Sequence, residues 1–383
     1  MQRSRPDGSA SQKRPLRTGY TTGANACAAV CAATRVLVGA GLEPWEGPLP
    51  ELTADRYDTL AGSVLITLPN GDRVRFPVRV AERRGDIGYA AVIKDGGDDP
   101  DCTHRAELWA QVRLRDDGRI ELLGGEGVGV VTKPGLGLPV GGPAINDGPR
   151  LNILDEVARL TPHGADITLG ITNGEELATK TLNARLGILG GLSILGTTGI
   201  VHPYSTAAFR ASVAQGIDVA HNQGADHVVL TTGGRSERFA MELLPHLPEP
   251  AFVQMGDFIG FALDHAVRVG MRAATIVGMI GKLSKMADGR TMTHAAASEV
   301  NTALLGEVAR GVGADDALCA AIAAGNTGRH VQELVVAAGL DGFFDALCER
   351  VSIVLSAHLK GPMRVEVFLV DFSGPALGRF LHE

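Results

Sequence analysis

The sequence predicts an α/β protein of two domains, mixed α+β in its first part and a layered α/β arrangement in its second. Three observations carry this. At 383 residues the chain has material for two hydrophobic cores. Between Asp166 and Gly281, an apolar run that ends in Gly, Thr or a charged residue and is followed by a helix-period segment recurs about five times. The clearest instance is Gly190–Ser205, GGLSILGTTGIVHPYS, where the short run Leu192–Leu195 sits between glycines and the polar turn Gly196-Thr197-Thr198-Gly199. Such alternation signals a parallel sheet whose loops collect at one edge. The expected organisation is a disordered tail over 1–15, an α+β domain over 16–150, and a Rossmann-like, three-layer parallel-sheet domain over 151–383 with C-terminal helices and a returning strand.

Along the first part, Thr21-Thr22-Gly23 precedes an Ala-rich helix from Ala24 to Val38, with a Thr hydroxyl as its cap. Such a start also suits an anion, so Thr21 and Thr22 are candidates both for capping and for ligand binding. Trp45–Tyr57 reads as a surface connection. Ser63–Leu68 and Arg73–Val80 alternate as a hairpin, Ala90–Ile93 is a further strand, and Glu107–Leu114 and Arg119–Leu122 flank an Asp116-Asp117-Gly118 turn. The Gly- and Pro-rich crossing from Gly124 to Pro149 excludes a long element.

In the second part, strands are expected at Asp166–Ile171, Leu192–Leu195, His227–Leu230, Phe252–Met255 and Ala274–Met279. Helices should follow Glu176 (to about Leu186), Ser205 and Asp257. In the second of these, Phe209, Val213, Ile217 and Ala220 share a face. In the third, Phe258, Phe261, Ala262, His265 and Val269 do. Thr293–Lys360 is helical with breaks at Gly311, Gly325 and Gly339, and Arg364–Asp371 returns to the sheet.

Composition narrows the function classes. A net charge of −7 and an aromatic content of 4% argue against a polyanion binder or a base-stacking platform. No apolar run spans a membrane, since Asp257, Asp264, Arg268 and Arg272 interrupt the most hydrophobic region. The start lacks the apolar core of a signal peptide. The five cysteines include no CxxC pair, and Cys27 and Cys31, although on one helix face, read as small core residues. A reduced, cytoplasmic protein is expected.

Five loops should converge at the sheet edge: Thr172–Glu176, Gly196–Ser205, Thr231–Glu237, Gly256–Asp257 and Gly281–Lys285. Their glycines admit close backbone approach, Glu175, Glu176 or Asp257 could accept from a ribose, and Arg235, Lys282 and Lys285 suit carboxylates or phosphates. His202 and His294 are acid–base candidates, each weighed against an ordinary structural role. The run Lys94–His104, with four aspartates in seven residues, reads as a solvated acidic turn, with a cation site or a catalytic role as alternatives. The chain carries no GxGxxG after its first strand, no Walker motif, no GxSxG elbow and no HExxH helix. The residues alone thus support an enzyme with an adenosine- or phosphate-type site.

Six segments in order resemble one family: LRTGYTTGANACAAVCAA (Leu16–Ala33), VIKDGGDDPDCTH (Val92–His104), GEGVGVVTKPGL (Gly125–Leu136), GPAINDGPR (Gly142–Arg150), GILGGLSILGTTGIVHPYS (Gly187–Ser205) and MIGKLSKMADGRTMTH (Met279–His294). The chain resembles the CbiD family, cobalt-precorrin-5B C(1)-methyltransferases of anaerobic-type cobalamin (vitamin B12) biosynthesis. The likeness covers roughly Leu16–Phe372. It departs from the family pattern at Cys102, where an apolar residue is usual, and at Ala295, where Ser is usual.

The resemblance implies methyl transfer from S-adenosylmethionine to C-1 of a cobalt-containing tetrapyrrole, giving cobalt-precorrin-6A. The metal would arrive inside the substrate, so no protein metal site is expected. The cofactor would lie on Gly196, Thr197, Thr198, Gly199, Thr231, Thr232, Gly233, Gly234 and Asp257, with the tetrapyrrole between the domains. His202, Tyr204, Asp99 and His104 would face the reacting ring as catalytic candidates. Thr21, Thr22, Lys133, Arg235, Lys282, Lys285 and His294 would meet the substrate and its carboxylate arms. The expected associations are the tetrapyrrole, hand-over to other corrin-pathway enzymes and self-association as a homo-oligomer, with no nucleic acid and no membrane. Rival readings are a nucleotide- or NADP-dependent enzyme of another class and a non-catalytic corrinoid carrier.

Overall fold

The computed structural model describes residues 14–46, 60–294 and 299–382. The expected tail to residue 13, most of the Trp45–Tyr57 connection and Ala295 lie outside them. The described chain is mixed α/β and divides into two compact units. The first runs to Thr132 and adds Val140–Ala184 and Ile188–Ser205; the second comprises Lys133–Pro139, Arg185–Gly187 and everything from Thr206.

The first unit is built on a helix with almost no exposed face. After β1 (Gly19–Tyr20), α1 (Thr22–Leu37) buries most of its Ala, Cys and Val side chains. Small residues all round let strands approach its backbone. At Gly88 an added Cβ would stand 2.1 Å from the Ala33 carbonyl oxygen, so only glycine allows this packing. Thr21 caps α1, accepting the Ala24 N–H at 3.2 Å. The hairpin β2 (Gly62–Thr67) and β3 (Arg73–Val78) forms as the pattern predicts, followed by β4 (Val80–Arg84), β5 (Ile87–Ile93), β6 (Glu107–Arg115) and β7 (Ile120–Gly124). The glycine-rich crossing holds only the two-residue strands β8 (Gly127–Val128) and β9 (Val130–Val131) before α2 (Asp147–Leu160).

The next strand corrects the sequence reading. β10 (Gly164–Ile171), expected to begin the parallel sheet, lies instead between β6 and β7 in a sheet ordered β4-β5-β6-β10-β7. The turn at Asp116-Asp117-Gly118 therefore does not close a hairpin. Gly170 sits under the Trp109 ring, where a Cβ would come within 2.0 Å, and this fit locks β10 against β6. The division expected at residue 150 falls inside α2, because β10 completes the first unit's sheet.

The helix expected to reach Leu186 is a single short turn, α3 (Gly174–Ala178). The Thr179 and Thr181 hydroxyls donate to the carbonyls of Glu176 and Ala178, both at 2.7 Å, and turn the chain out of the helix. The expected strand Leu192–Leu195 is also broken up. β11 (Ile188–Leu189) pairs with β9, β12 (Gly191–Leu192) with β8, and β13 (Ile200–Val201) with β1. Left-handed backbone at Gly187, Gly190 and Gly199 prevents a longer run.

The second unit carries the parallel sheet. α4 (Thr206–Asn222) buries Val213, Ile217 and Ala220, while Phe209 of the same predicted face stays 42% exposed. Then come β14 (His227–Thr231), α5 (Gly234–Leu243), β15 (Phe252–Gln254), α6 (Ile259–Val269), β16 (Ala273–Gly278) and α7 (Ile280–Ala287). The helical stretch resolves into α8 (Thr302–Gly311), α9 (Asp316–Ala323), α10 (Gly328–Ala337) and α11 (Phe343–His358), before β17 (Arg364–Val370) and β18 (Ala376–His382). Strand order is β15-β14-β16-β17-β18, parallel throughout except for β18. Alternate residues face two cores. Val228, Leu230 and Ile276 pack with α6, α7 and α11, whereas Val229, Val277 and Phe368 pack with Phe239 and Ala240 of α5.

Candidate functional site

All four parallel strands end at one edge of the second unit, where their following loops line a cavity of about 820 Å³. Thr232–Ser236 follow β14, Asp257 follows β15, Met279–Lys285 follow β16 and Phe372 follows β17. The order reverses between β14 and β16, the topological switch where open α/β sheets place their ligands. A volume of this size suits a ligand of nucleoside dimensions or larger.

Two glycines mark the lining. A Cβ added at Gly281 would meet nothing within 4 Å, and at Gly234 nothing nearer than 3.6 Å. The protein's own packing therefore does not require glycine there, and the bare backbone leaves room for a ligand. Gly328 differs: its Cβ would stand 2.9 Å from Gly281 Cα, so it is needed to seat α10 against α7.

The polar lining is predominantly cationic. Arg235, Lys282, Lys285 and Arg329 face one carboxylate among the described lining residues, Asp257. Asp257 pairs with Lys282 and accepts Thr293 Oγ1 at 2.8 Å. Burial pushes its carboxyl pKa up, but the Lys282 and Thr293 hydrogen bonds outweigh it and hold the group below the usual carboxylate value. Lys285 is buried and donates to the Thr293 carbonyl at 3.1 Å. Thr232 Oγ1 lies 3.1 Å from Ser236 Oγ, fixing the first turn of α5.

Of the sequence-predicted residues, the cavity gathers Thr232, Gly233, Gly234, Asp257, Arg235, Lys282, Lys285 and His294. Thr231 is the buried last residue of β14, and Lys133 lays its stem against Gly187, outside the lining. Sequence reading missed Thr293, Asn326, Thr327, Gly328, Arg329 and Phe372. The signal for four of them was the run Asn326-Thr327-Gly328-Arg329, in which Thr327 caps α10 by accepting the His330 N–H at 3.2 Å.

The remaining candidates belong to the first unit. Gly196–Gly199 packs on the start of α1: the Thr21 N–H donates to the Gly199 carbonyl at 3.0 Å, and a Cβ on Gly196 would lie 2.2 Å from Thr21 Oγ1. Thr22 Oγ1 accepts the Leu195 N–H at 2.9 Å. Thr197 lies exposed in the same turn, and the Thr198 hydroxyl meets the Ile200 backbone at 3.3 Å.

The carboxylates of the acidic loop all have protein partners. Asp95 pairs with Arg17, Asp98 accepts the Arg17 N–H, and Asp101 pairs with the fully buried Lys94 at 2.5 Å. Asp99 accepts the Tyr204 N–H at 2.9 Å and so joins this loop to His202 and Tyr204. Tyr204 is left-handed (φ 56°) and 69% exposed. His104 Nδ1 accepts the Gly96 N–H at 3.0 Å, which places the ring proton on Nε2. Burial lowers the His104 pKa, opposed by Asp95 and aided by Arg105, Lys94 and Arg17. Burial also raises the thiol pKa of half-buried Cys102, so it is no ready nucleophile.

The second unit thus has the form of a largely parallel-sheet protein with a cationic, glycine-lined cavity at its switch point. Family models match the chain over residues 9–203 (CbiD) and 292–379 (CbiD, C-terminal domain). The chain belongs to the CbiD family. It is 51% identical to a cobalt-precorrin-5B C(1)-methyltransferase of Polaromonas naphthalenivorans, over 94% of this chain and 96% of that one. Relatives of the same name from Leptospira interrogans (46% identity; 96% of each chain) and Thermus thermophilus (49%; 94% of this chain and 93% of that one) match equally broadly. A crystal structure of the cobalamin biosynthesis protein (cbiD) of Archaeoglobus fulgidus aligns with 27% identity and a TM-score of 0.37, over 71% of this chain and 80% of that one.

Proposed function

We propose that the chain is an S-adenosylmethionine-dependent methyltransferase that methylates C-1 of cobalt-precorrin-5B to give cobalt-precorrin-6A in cobalamin biosynthesis. Identity of 46–51% with methyltransferases of that name, over nearly whole chains, carries this reading. We further propose that the second unit works as a Rossmann-like module and that the protein acts in the cytoplasm. Among the described residues no helix is long and apolar enough to cross a membrane.

The cofactor's place is the second-unit cavity. Gly281 offers open space and Gly234 a backbone with only the Gln254 side chain near it, and the volume suits a nucleoside with an amino-acid tail. When bound, the cofactor supplies an electrophilic methyl group whose sulfur leaves with the bonding electron pair. The chain's residues bind and orient: Thr232, Gly233 and Gly234 approach through backbone, and Arg235 and Arg329 offer charge to the substrate's carboxylates. The attacking atom belongs to the substrate, so no protein nucleophile is needed.

In the first unit, His104 Nδ1, the nitrogen that could take a proton, is already occupied as acceptor of the Gly96 N–H, which suits positioning rather than proton removal. Exposed His202, beside Tyr204 on the segment anchored by Asp99, is the better group to take the proton the macrocycle loses. The test is incubation with cobalt-precorrin-5B and S-adenosylmethionine carrying a deuterated methyl. Appearance of that methyl at C-1 is the expected result, and an unmodified corrinoid would reject the proposal.

A further inference from the structure

The cavity contains a carboxylate that a purely anion-binding site would not carry. Asp257 is the one acid among its described lining residues, and it stands in an ion pair with Lys282 whose two ends differ in freedom. Asp257 is held by Thr293, through Thr293 Oγ1 on its Oδ1 at 2.8 Å and Thr293 N–H on its carbonyl at 3.1 Å. Thr293 is itself braced by buried Lys285. Lys282 is 33% exposed on a flexible four-carbon stem, and among the described residues Asp257 is its only ionic partner.

The Lys282 and Thr293 bonds to the Asp257 carboxylate both fall on Oδ1, and Oδ2 has no hydrogen-bond partner among the described residues. A fixed carboxylate with an open oxygen, beside an ammonium able to swing, is complementary to a zwitterion. An incoming ammonium would bond to Asp257 while its neighbouring carboxylate takes Lys282, so one ion pair becomes two with no charge left over. A phosphate or lone carboxylate would find the cations but would be repelled by Asp257.

We infer that the Asp257–Lys282 pair seats a free α-amino-acid head group and selects ligands that carry one over nucleotides that do not. This rests on the proposed cofactor, whose methionine portion is such a head group.

The experiment is calorimetric titration with S-adenosylhomocysteine and with 5′-deoxy-5′-methylthioadenosine, which keeps the nucleoside and thioether but lacks the amino acid. Wild type, Asp257→Asn and Lys282→Met are compared. Asp257→Asn keeps an oxygen for Thr293 and removes the charge. The expected result is that wild type binds S-adenosylhomocysteine at least about tenfold more tightly than the truncated ligand. Each variant should remove most of that difference and leave the truncated ligand's affinity unchanged. Equal affinity of wild type for both ligands, or variants that weaken both ligands equally, would overturn the head-group assignment while the cavity remains the nucleoside site. Binding of neither ligand to wild type would reject the cofactor placement and this inference with it.

Discussion

The tripeptide Thr-Thr-Gly occurs at 21–23, 197–199 and 231–233, and its surroundings differ completely between the two units. In the first unit two copies face each other. The 197–199 turn accepts from the Thr21 backbone, Gly196 presses on the Thr21 hydroxyl, and a Cβ on Gly23 would come within 2.5 Å of Pro149. In the second unit the third copy opens α5 onto a cavity, where Gly281 has open space before it and a Cβ on Gly234 would meet only the Gln254 side chain, at 3.6 Å. The same residue types close the chain on itself in one place and line an open cavity in the other. What separates them is whether another segment already fills the space a side chain would take.

The largest effect is expected at the buried pair of the first unit. Asp101→Ala strands the Lys94 ammonium, which is 1% exposed, and should cost about 3–5 kcal/mol. That corresponds to a melting temperature lower by roughly 10 °C in a scan of the variant. Next comes Gly196→Ala, whose Cβ would collide with Thr21 on a backbone at φ 143°, for a loss of about 3 kcal/mol in a denaturant titration.

A smaller effect concerns Asp257. Its folded carboxyl pKa is depressed by Lys282 and Thr293, so its stabilising contribution is present above the ordinary value of about 3.9 and fades as pH falls through the lower folded value. The difference in urea midpoint between wild type and Asp257→Asn should therefore be flat from pH 7 to about 4 and shrink below that. A difference that instead changed around pH 6 would assign it to another group.

Much of this was legible in the sequence. The β2–β3 hairpin, the Thr-capped α1, the breaks among α8–α11 and the strands β14 to β17 follow from period, caps and glycines. So did the gathering of Thr232–Gly234, Asp257, Lys282 and Lys285 at one edge, because a parallel sheet sends every strand's end to the same side. The placement of β10 was not legible: a strand buried on both faces reads alike whether its neighbours are parallel or antiparallel. Nor was the packing of Gly196–Gly199 on Thr21, since a glycine needed for packing and one that leaves open space look the same until the opposing segment is known. Phe372 reaches the cavity from the end of β17 through tertiary packing alone.

The most direct test of the account is the affinity of S-adenosylhomocysteine for wild type, Gly281→Ala and Thr198→Ala, measured with the melting temperature of each. Gly281→Ala should leave stability within about 0.5 kcal/mol, because its Cβ meets nothing within 4 Å, yet weaken the ligand at least about tenfold. Thr198→Ala should bind as wild type does. Undiminished affinity in Gly281→Ala, or its loss in Thr198→Ala, would contradict the assignment of the open turns to the cofactor.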